Sequence, residues 1–186
     1  IISNQIDTQR EIRNYAIKEA LLNDDKKETL FYIEFGVFNG KSTNLFADYV
    51  NKLYAFDSFE GLKHDWLGHT LPKGTFDLGK KIPNLKKNVE PVQGWVEETL
   101  VNFLEKNNPK INFVHMDLDI YESSLYVLKK IKPYLINGAI ILFDELYNFT
   151  GWEVGEYKAL MESFEESEYR FKAFSNDKQV VIKIIK

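Results

Sequence analysis

The sequence contains no cysteine, so neither a disulfide framework nor a thiolate metal site is available, and any metal must be held by oxygen or imidazole ligands. That absence fits the reducing cytoplasm, where the chain is expected to work. Charge of one sign is also missing: 24 basic and 28 acidic residues, well mixed, leave a formal net charge of -4. This removes any electrostatic case for nucleic acid or an anionic membrane as partner and leaves a small soluble substrate. No apolar run approaches the roughly 20 residues needed to cross a bilayer, and no charged segment followed by an apolar stretch marks a secretion signal. The chain opens on Ile1 rather than Met, so some native terminus is expected to precede it. Internal repeats, low-complexity tracts and interdomain linkers are absent too. With 186 residues, 44% of them hydrophobic and 15% aromatic, the chain is expected to form a single domain over 1–186. Self-association into a homo-oligomer is left open.

What is present is a set of four apolar runs that each end on acids: Glu34 just before Gly36, Asp57 after Leu53 to Phe56, Asp117 with Asp119, and Asp144 with Glu145. In a parallel α/β sheet the carboxyl ends of the strands converge on one crevice, so acids scattered in sequence would meet there. The periodicity supports such a sheet. Helical spacing covers Asp7 to Leu22, the stretch from Lys41 to Val50, Val96 to Leu104, Glu122 to Lys132 and Val154 to Phe164. Buried strands are predicted at Leu30–Phe35, Leu53–Phe56, Val89–Val92, Ile111–Met116 and Ala139–Phe143. Two further strands, Tyr169–Phe174 and Val180–Ile185, flank the turn Ser175 to Lys178 and read as a terminal antiparallel hairpin. Between Ser58 and Lys87 four glycines (Gly61, Gly68, Gly74, Gly79) punctuate a stretch without sustained period, long enough to predict a functional lid.

The loop Gly36-Val37-Phe38-Asn39-Gly40 follows the first of these strands and precedes a helix, an arrangement that lets backbone approach a ligand and offers unpaired amides. Asp57 follows Gly36 at close to the spacing of about 20 residues at which an acid accepts from ribose hydroxyls. An adenosine-containing ligand is therefore expected. A nicotinamide-binding enzyme is the alternative, but its fingerprint wants a middle glycine where this chain has Phe38, whose side chain would block close approach of a pyrophosphate. The second motif runs from His115 to Ser124 and is paired with Phe143-Asp144-Glu145. Neighbouring strand ends lie about 5 Å apart, so Asp117, Asp144 and Glu145 would crowd charges that a divalent cation relieves. Hard carboxylate oxygens favour Mg²⁺, with Mn²⁺ or Ca²⁺ as alternatives. Two plainer readings compete: Asp119 and Glu122 have the spacing of a helix capping box, and salt bridges to lysines would satisfy Asp144 and Glu145. His115, inside an apolar strand, reads as a satisfied core residue, and Trp66, His64, His69, Tyr121 and Trp152 are candidates to contact an acceptor.

The segments Ile33 to Ser42, Phe56 to Leu62, Gly94 to Leu100 and the two acidic motifs, in that order, resemble the macrocin O-methyltransferase family of class I S-adenosylmethionine-dependent enzymes. The resemblance implies a three-layer Rossmann-like α/β fold, with a mostly parallel seven-stranded sheet and an antiparallel terminal hairpin. It implies that S-adenosylmethionine is bound by Glu34, Gly36, Phe38, Gly40 and Ser42 around the methionine part, by Asp57 and Ser58 at the ribose and by Gly94 and Trp95 at the adenine, with Asp117 close by. It further implies that Asp117, Asp144 and Glu145 hold Mg²⁺ or another divalent cation, and that Asp119 is the catalytic base. The substrate expected from the resemblance is a small hydroxylated acceptor such as a sugar. The chain departs from the family in having Asp144-Glu145 where two aspartates are usual. A domain that binds the cofactor without catalysis is the remaining alternative.

Overall fold

Thr8 starts the first helix by a reciprocal cap. Its hydroxyl accepts from the Glu11 amide at 3.2 Å, while the Glu11 carboxylate accepts from the Thr8 amide at 3.1 Å. The computed structural model describes residues 4–25, 29–66 and 70–186. In chain order its elements are β1 (Asn4–Ile6), α1 (Gln9–Leu21), β2 (Leu30–Phe35), α2 (Lys41–Ala47), β3 (Leu53–Asp57), β4 (Val89–Gln93), α3 (Val96–Asn107), β5 (Lys110–Met116), α4 (Tyr121–Ile131), β6 (Leu135–Phe143), α5 (Glu156–Ser163), β7 (Tyr169–Ser175) and β8 (Val180–Ile184).

The strands form one sheet in the order β1-β7-β8-β6-β5-β2-β3-β4. Strands β6, β5, β2, β3 and β4 are mutually parallel, and β8 lies antiparallel between β6 and β7. This is the expected Rossmann-like sheet with its terminal hairpin. An eighth strand, β1, adds parallel to β7 at the edge; three residues are too few to carry an alternation signal in sequence. Strand β6 begins at Leu135, earlier than Ala139, because Leu135 pairs with Ile111 ahead of a register shift. The intervening Asn137-Gly138, with Gly138 at φ 85, interrupts the apolar run and hides that start. Helix α2 stops at Ala47, short of Val50, and α5 starts at Glu156 after a 3₁₀ turn over Trp152–Val154. Among the described residues no helix is long and apolar enough to cross a membrane.

Alternation along the strands divides the core in two. Phe35, Phe56, Val114 and Met116 pack with Leu100, Leu104, Val127, Leu128 and Leu160 of α3, α4 and α5. On the other face Tyr32, Phe113 and Leu142 pack with Ile12, Ala16 and Phe46 of α1 and α2. Full burial of each large apolar side chain stabilises the fold by about 1.5–3 kcal/mol. Glu34 and His115 are register partners on β2 and β5 and, being offset by one residue from Phe35 and Met116, share the α1/α2 face, where His115 also meets the Phe46 ring edge-on at 5.1 Å.

The described residues of the stretch from Ser58 to Lys87 fold back on one another. Glu60 and Asp77 form an antiparallel bridge, the Leu62 amide donates to the Thr75 carbonyl at 2.8 Å, and the Gly74 amide donates to the Leu62 carbonyl at 2.9 Å. Leu62 and Trp66 are buried against Ile120, with Leu71 and Phe76 packed on them. The stretch thus roofs the carboxyl edge of the sheet.

At that edge the ladder continues one step beyond the strands. Gly36 N donates to Phe56 O at 2.9 Å, Asp117 N to Phe35 O at 2.9 Å, Asp144 N to Met116 O at 2.9 Å and Gly94 N to Asp57 O at 3.0 Å. Gly36 permits the closest of these approaches: it has φ +89, and a Cβ built on it would lie 1.8 Å from the Asp117 carbonyl oxygen. Gly36→Ala is therefore predicted to lower the unfolding free energy by about 3 kcal/mol or more in urea denaturation. A loss under about 1 kcal/mol would contradict the close approach.

Candidate active site

A cavity of about 380 Å³ opens over the ends of β2, β3, β4 and β5. Its floor is Gly36 to Phe38, Asp57 with Ser58, Gly94 to Val96 and Asp117 to Ile120; its roof is Leu62, Trp66, Leu71 and Phe76; Glu145 and Lys178 stand at one end. Of the residues singled out in sequence, Gly36, Phe38, Asp57, Ser58, Gly94, Trp95, Asp117, Asp119 and Glu145 meet in this one space. Glu34, Gly40, Ser42 and Asp144 do not line it. Gly40 lies at the start of α2, at φ 78, where a Cβ would come within 2.7 Å of Leu85. Ser42 is buried in the first turn of α2.

Asp57 braces the glycine loop. One carboxylate oxygen accepts from the amides of Val37 at 2.7 Å and Phe38 at 2.8 Å, and the other accepts from Phe59 at 2.7 Å. The loop it holds puts Phe38 at φ 46, 39% exposed, with its ring 5.1 Å from Phe76 of the roof. The Lys63 ammonium lies 5.3 Å from the centre of the Trp95 ring.

Asp119 is not a helix cap. The first residue flanking α4 is Ile120, without a side-chain capping bond, and Asp119 itself sits at φ 61, a conformation that disfavours most side chains. That turn aims it between two cavities. The second, of about 440 Å³, is lined by His64, Asp65, Trp66, Lys73, Tyr121, Glu122, Val154 and Gly155 and shares Trp66, Asp119 and Ile120 with the first. Of the aromatic and histidine residues singled out in sequence, Trp66, His64 and Tyr121 line this second cavity; Trp152 packs against Tyr157 at 4.7 Å, and His69 lies outside the described residues.

The acids divide electrostatically. Asp144 accepts from Arg13 Nη2 of α1 at 2.7 Å, and the same oxygen faces His115 Nε2 at 3.2 Å, while His115 Nδ1 faces Glu34 at 2.8 Å. Burial opposes charge on His115, but its bonds to Asp144 and Glu34 carry its pKa up to about 9, so both ring nitrogens donate at neutral pH. Burial also works against the Asp144 carboxylate, and His115 and Arg13 overcome it, holding that carboxyl well below the usual range. The partner of Asp144 is therefore an arginine and a histidine rather than a lysine. Asp117, by contrast, is pushed up to about 7 by burial and by Asp144. Asp119 is raised well above the ordinary value by burial, Asp117 and Glu156, and Glu145 by burial, Asp117 and Asp144. Oxygens of Asp117, Asp119 and Glu145 all lie within 4.8 Å of one another, and so do ligand atoms of His115, Asp117 and Asp144.

Sequence reasoning missed Arg13, Glu156 and Gln179. Glu156 is buried, accepts from the Glu145 amide at 3.2 Å and is likewise raised by burial and Asp117. Gln179 is buried with Nε2 3.5 Å from Asp144. A signal existed for two of them. Glu156 precedes Ala159 and Leu160 at helical spacing, and Arg13 precedes Ala16 and Ile17 in the same way, so each is a charge on a core-facing stripe.

The family described as a methyltransferase domain matches residues 33–146, more than half of the chain. No curated protein sequence matches it. Among solved structures, the calicheamicin methyltransferase CalS11 is similar at 22% identity and a TM-score of 0.76, over 94% of this chain and 77% of that one. The O-methyltransferase NovP is similar at 16% identity and a TM-score of 0.67, over 96% and 80%. An O-methyltransferase from Bacillus cereus, solved in complex with SAH, is similar at 12% identity and a TM-score of 0.57, over 95% and 80%. A second CalS11 structure describes that enzyme as a TDP-rhamnose 3'-O-methyltransferase. With the glycine loop and the strand-end acids all inside the matched segment, the chain belongs to the methyltransferase-domain family.

Proposed function

We propose that this chain is an S-adenosylmethionine-dependent O-methyltransferase of the macrocin type, acting on a hydroxyl of a sugar or other small molecule with help from a divalent cation. The observation that carries this reading is the pair of cavities that meet at Asp119. One offers the strand-end groups suited to an adenosine-containing cofactor, and the other has the aromatic and polar walls suited to a hydroxylated acceptor. The CalS11 and Bacillus cereus likenesses support the acceptor class and the cofactor respectively. We take residues 1–186 as one domain working in the cytoplasm.

A carboxylate has about four acceptor sites, so Asp57, with three amides already on it, keeps one for a ribose hydroxyl. Ser58 lies beside it, and Gly94 with Trp95 forms the wall for the adenine. Glu34, Gly40 and Ser42 contribute from behind the wall by shaping the strand, loop and helix that face the methionine part. The sulfonium carries its own leaving group, so the chain mainly has to align the acceptor oxygen with the methyl carbon and remove a proton. Asp119 takes that proton: the new oxygen–carbon bond forms as the sulfur–carbon bond breaks, and S-adenosylhomocysteine leaves.

The acids fit a cation. Burial and mutual repulsion disfavour ionised Asp117, Asp119 and Glu145, and one Glu145 oxygen is buried without a hydrogen-bond partner. Asp117, Glu145 and a third group, Asp144 or another neighbour, would hold it. A bound Mg²⁺ would restore the carboxylates, lower the pKa of an acceptor hydroxyl and fix its direction.

The test is transfer of labelled methyl from S-adenosylmethionine to a panel of sugar hydroxyls. Label is predicted to reach the acceptor, to stop with chelator and to resume with Mg²⁺. Asp119→Asn is predicted to lower turnover by about 10²- to 10⁴-fold with S-adenosylhomocysteine affinity unchanged. Cofactor binding with no transfer to any hydroxyl would favour a non-catalytic binding domain instead.

A further inference from the structure

We infer that the acceptor carries an anionic group, a carboxylate or a phosphate, beside the hydroxyl that is methylated, and that Lys178 recognises it. This rests on the O-methyltransferase reading above and does not require the cation. Lys178 lies in the turn between β7 and β8 and lines the first cavity at the end where Glu145 stands. Its charge reaches Asp119, where it opposes the rise that burial imposes. Among the described wall residues of that cavity the other cation is Lys63, which is 3.3 Å from Glu97 and stands over Trp95. Lys63 is thus spent at the adenine end, and Lys178 is the cation at the end where the acceptor enters.

The ammonium is held without being satisfied. Its Nζ lies 5.8 Å from the centre of the Trp66 ring and 5.6 Å from that of Phe149, and attraction to ring faces uses no acceptor oxygen. Among the described residues no carboxylate forms an ion pair with Lys178 and no oxygen accepts from Nζ, so its donors remain for a ligand. The backbone that carries it is fixed. Lys178 O accepts from Leu146 N at 3.0 Å, Asp177 O from Asn148 Nδ2 at 2.9 Å, and Ser175 Oγ from the amides of Asp177 and Gln179 at 3.1 and 3.0 Å. A donor fixed in advance loses little freedom when an anion pairs with it. Trp66, under the ammonium, lines both cavities, which places this charge at the junction where a hydroxyl would meet Asp119. An acceptor bearing an amine would meet Lys178 there as a like charge, whereas a carboxylate or phosphate would find in it the counter-charge that offsets Asp119 and Glu145. A compact ammonium suits either anion.

The test is transfer of labelled methyl from S-adenosylmethionine to neutral hexoses, the matching hexuronates, hexose phosphates and amino hexoses. An anionic member is expected to exceed its neutral parent by about tenfold or more in kcat/KM, chiefly through KM; the two anionic arms tell carboxylate from phosphate. Lys178→Gln is expected to collapse that ratio to about threefold or less, and Lys178→Arg to keep most of it. Affinity for S-adenosylhomocysteine, read by calorimetry, is expected to stay within about twofold in both variants. Circular dichroism checks the fold, to which the side chain contributes two ring contacts. If Lys178 only balances charge at Asp119, Lys178→Gln slows neutral and anionic acceptors alike and the ratio survives. That result overturns the inference, as does a preference of the unaltered chain for neutral or amino hexoses. A matching loss of S-adenosylhomocysteine affinity also overturns it, by giving Lys178 to the cofactor's own carboxylate. Transfer to no member of the panel overturns the reading on which the inference rests, and the inference with it.

Discussion

The site depends on how the parallel ladder ends. In the interior, hydrogen bonds between β3, β2, β5 and β6 fix the strands side by side; one step later the same bonding joins Gly36, Asp117 and Asp144 to the strand ends beside them. Loops that would otherwise diverge are thereby held at sheet spacing, and acids far apart in sequence come within ligand distance of one another. Gly36 is the condition for this, because only a residue without a side chain lets β2's exit pass against the Asp117 carbonyl.

Crowding carboxylates has a cost, and the protein handles it in two ways. On the α1 side the negative charges of Glu34 and Asp144 are matched by His115 and Arg13 in a buried ladder with distances of 2.7–3.2 Å. Such a network is strongly destabilised by removal of one member, since the others stay buried and charged. On the cavity side Asp117, Asp119 and Glu145 have no comparable ladder, and burial holds their pKa values up. The same strand ends therefore yield a closed structural half and an open chemical half.

Most of this architecture was legible in the sequence because periodicity and strand-end acids are local signals. Seven strands, the hairpin and the convergence of Gly36, Asp57, Asp117, Asp119 and Glu145 followed from them, while Gly94 was expected there from the family resemblance alone. The rest was set by tertiary contacts. Nothing in the run Ile141 to Glu145 tells which of its two acids turns toward the core; that depends on Arg13, 131 residues away in sequence. The capping-box spacing of Asp119 and Glu122 did not produce a cap, because α4 begins only after Ile120 and the backbone at Asp119 is left-handed. The roof over residues 58–87 was recognisable as a long loop, yet its bridge between Glu60 and Asp77 has no periodic signature.

The central claim is that the crevice at the carboxyl edge takes a sulfur-containing adenosine ligand, with Asp57 and the Phe38 loop setting that choice. Calorimetric titration of the chain with S-adenosylhomocysteine, and with NAD in parallel, tests it most directly. The account predicts saturable one-to-one binding of S-adenosylhomocysteine and no heat above dilution with NAD. Saturable binding of NAD without binding of S-adenosylhomocysteine would contradict it.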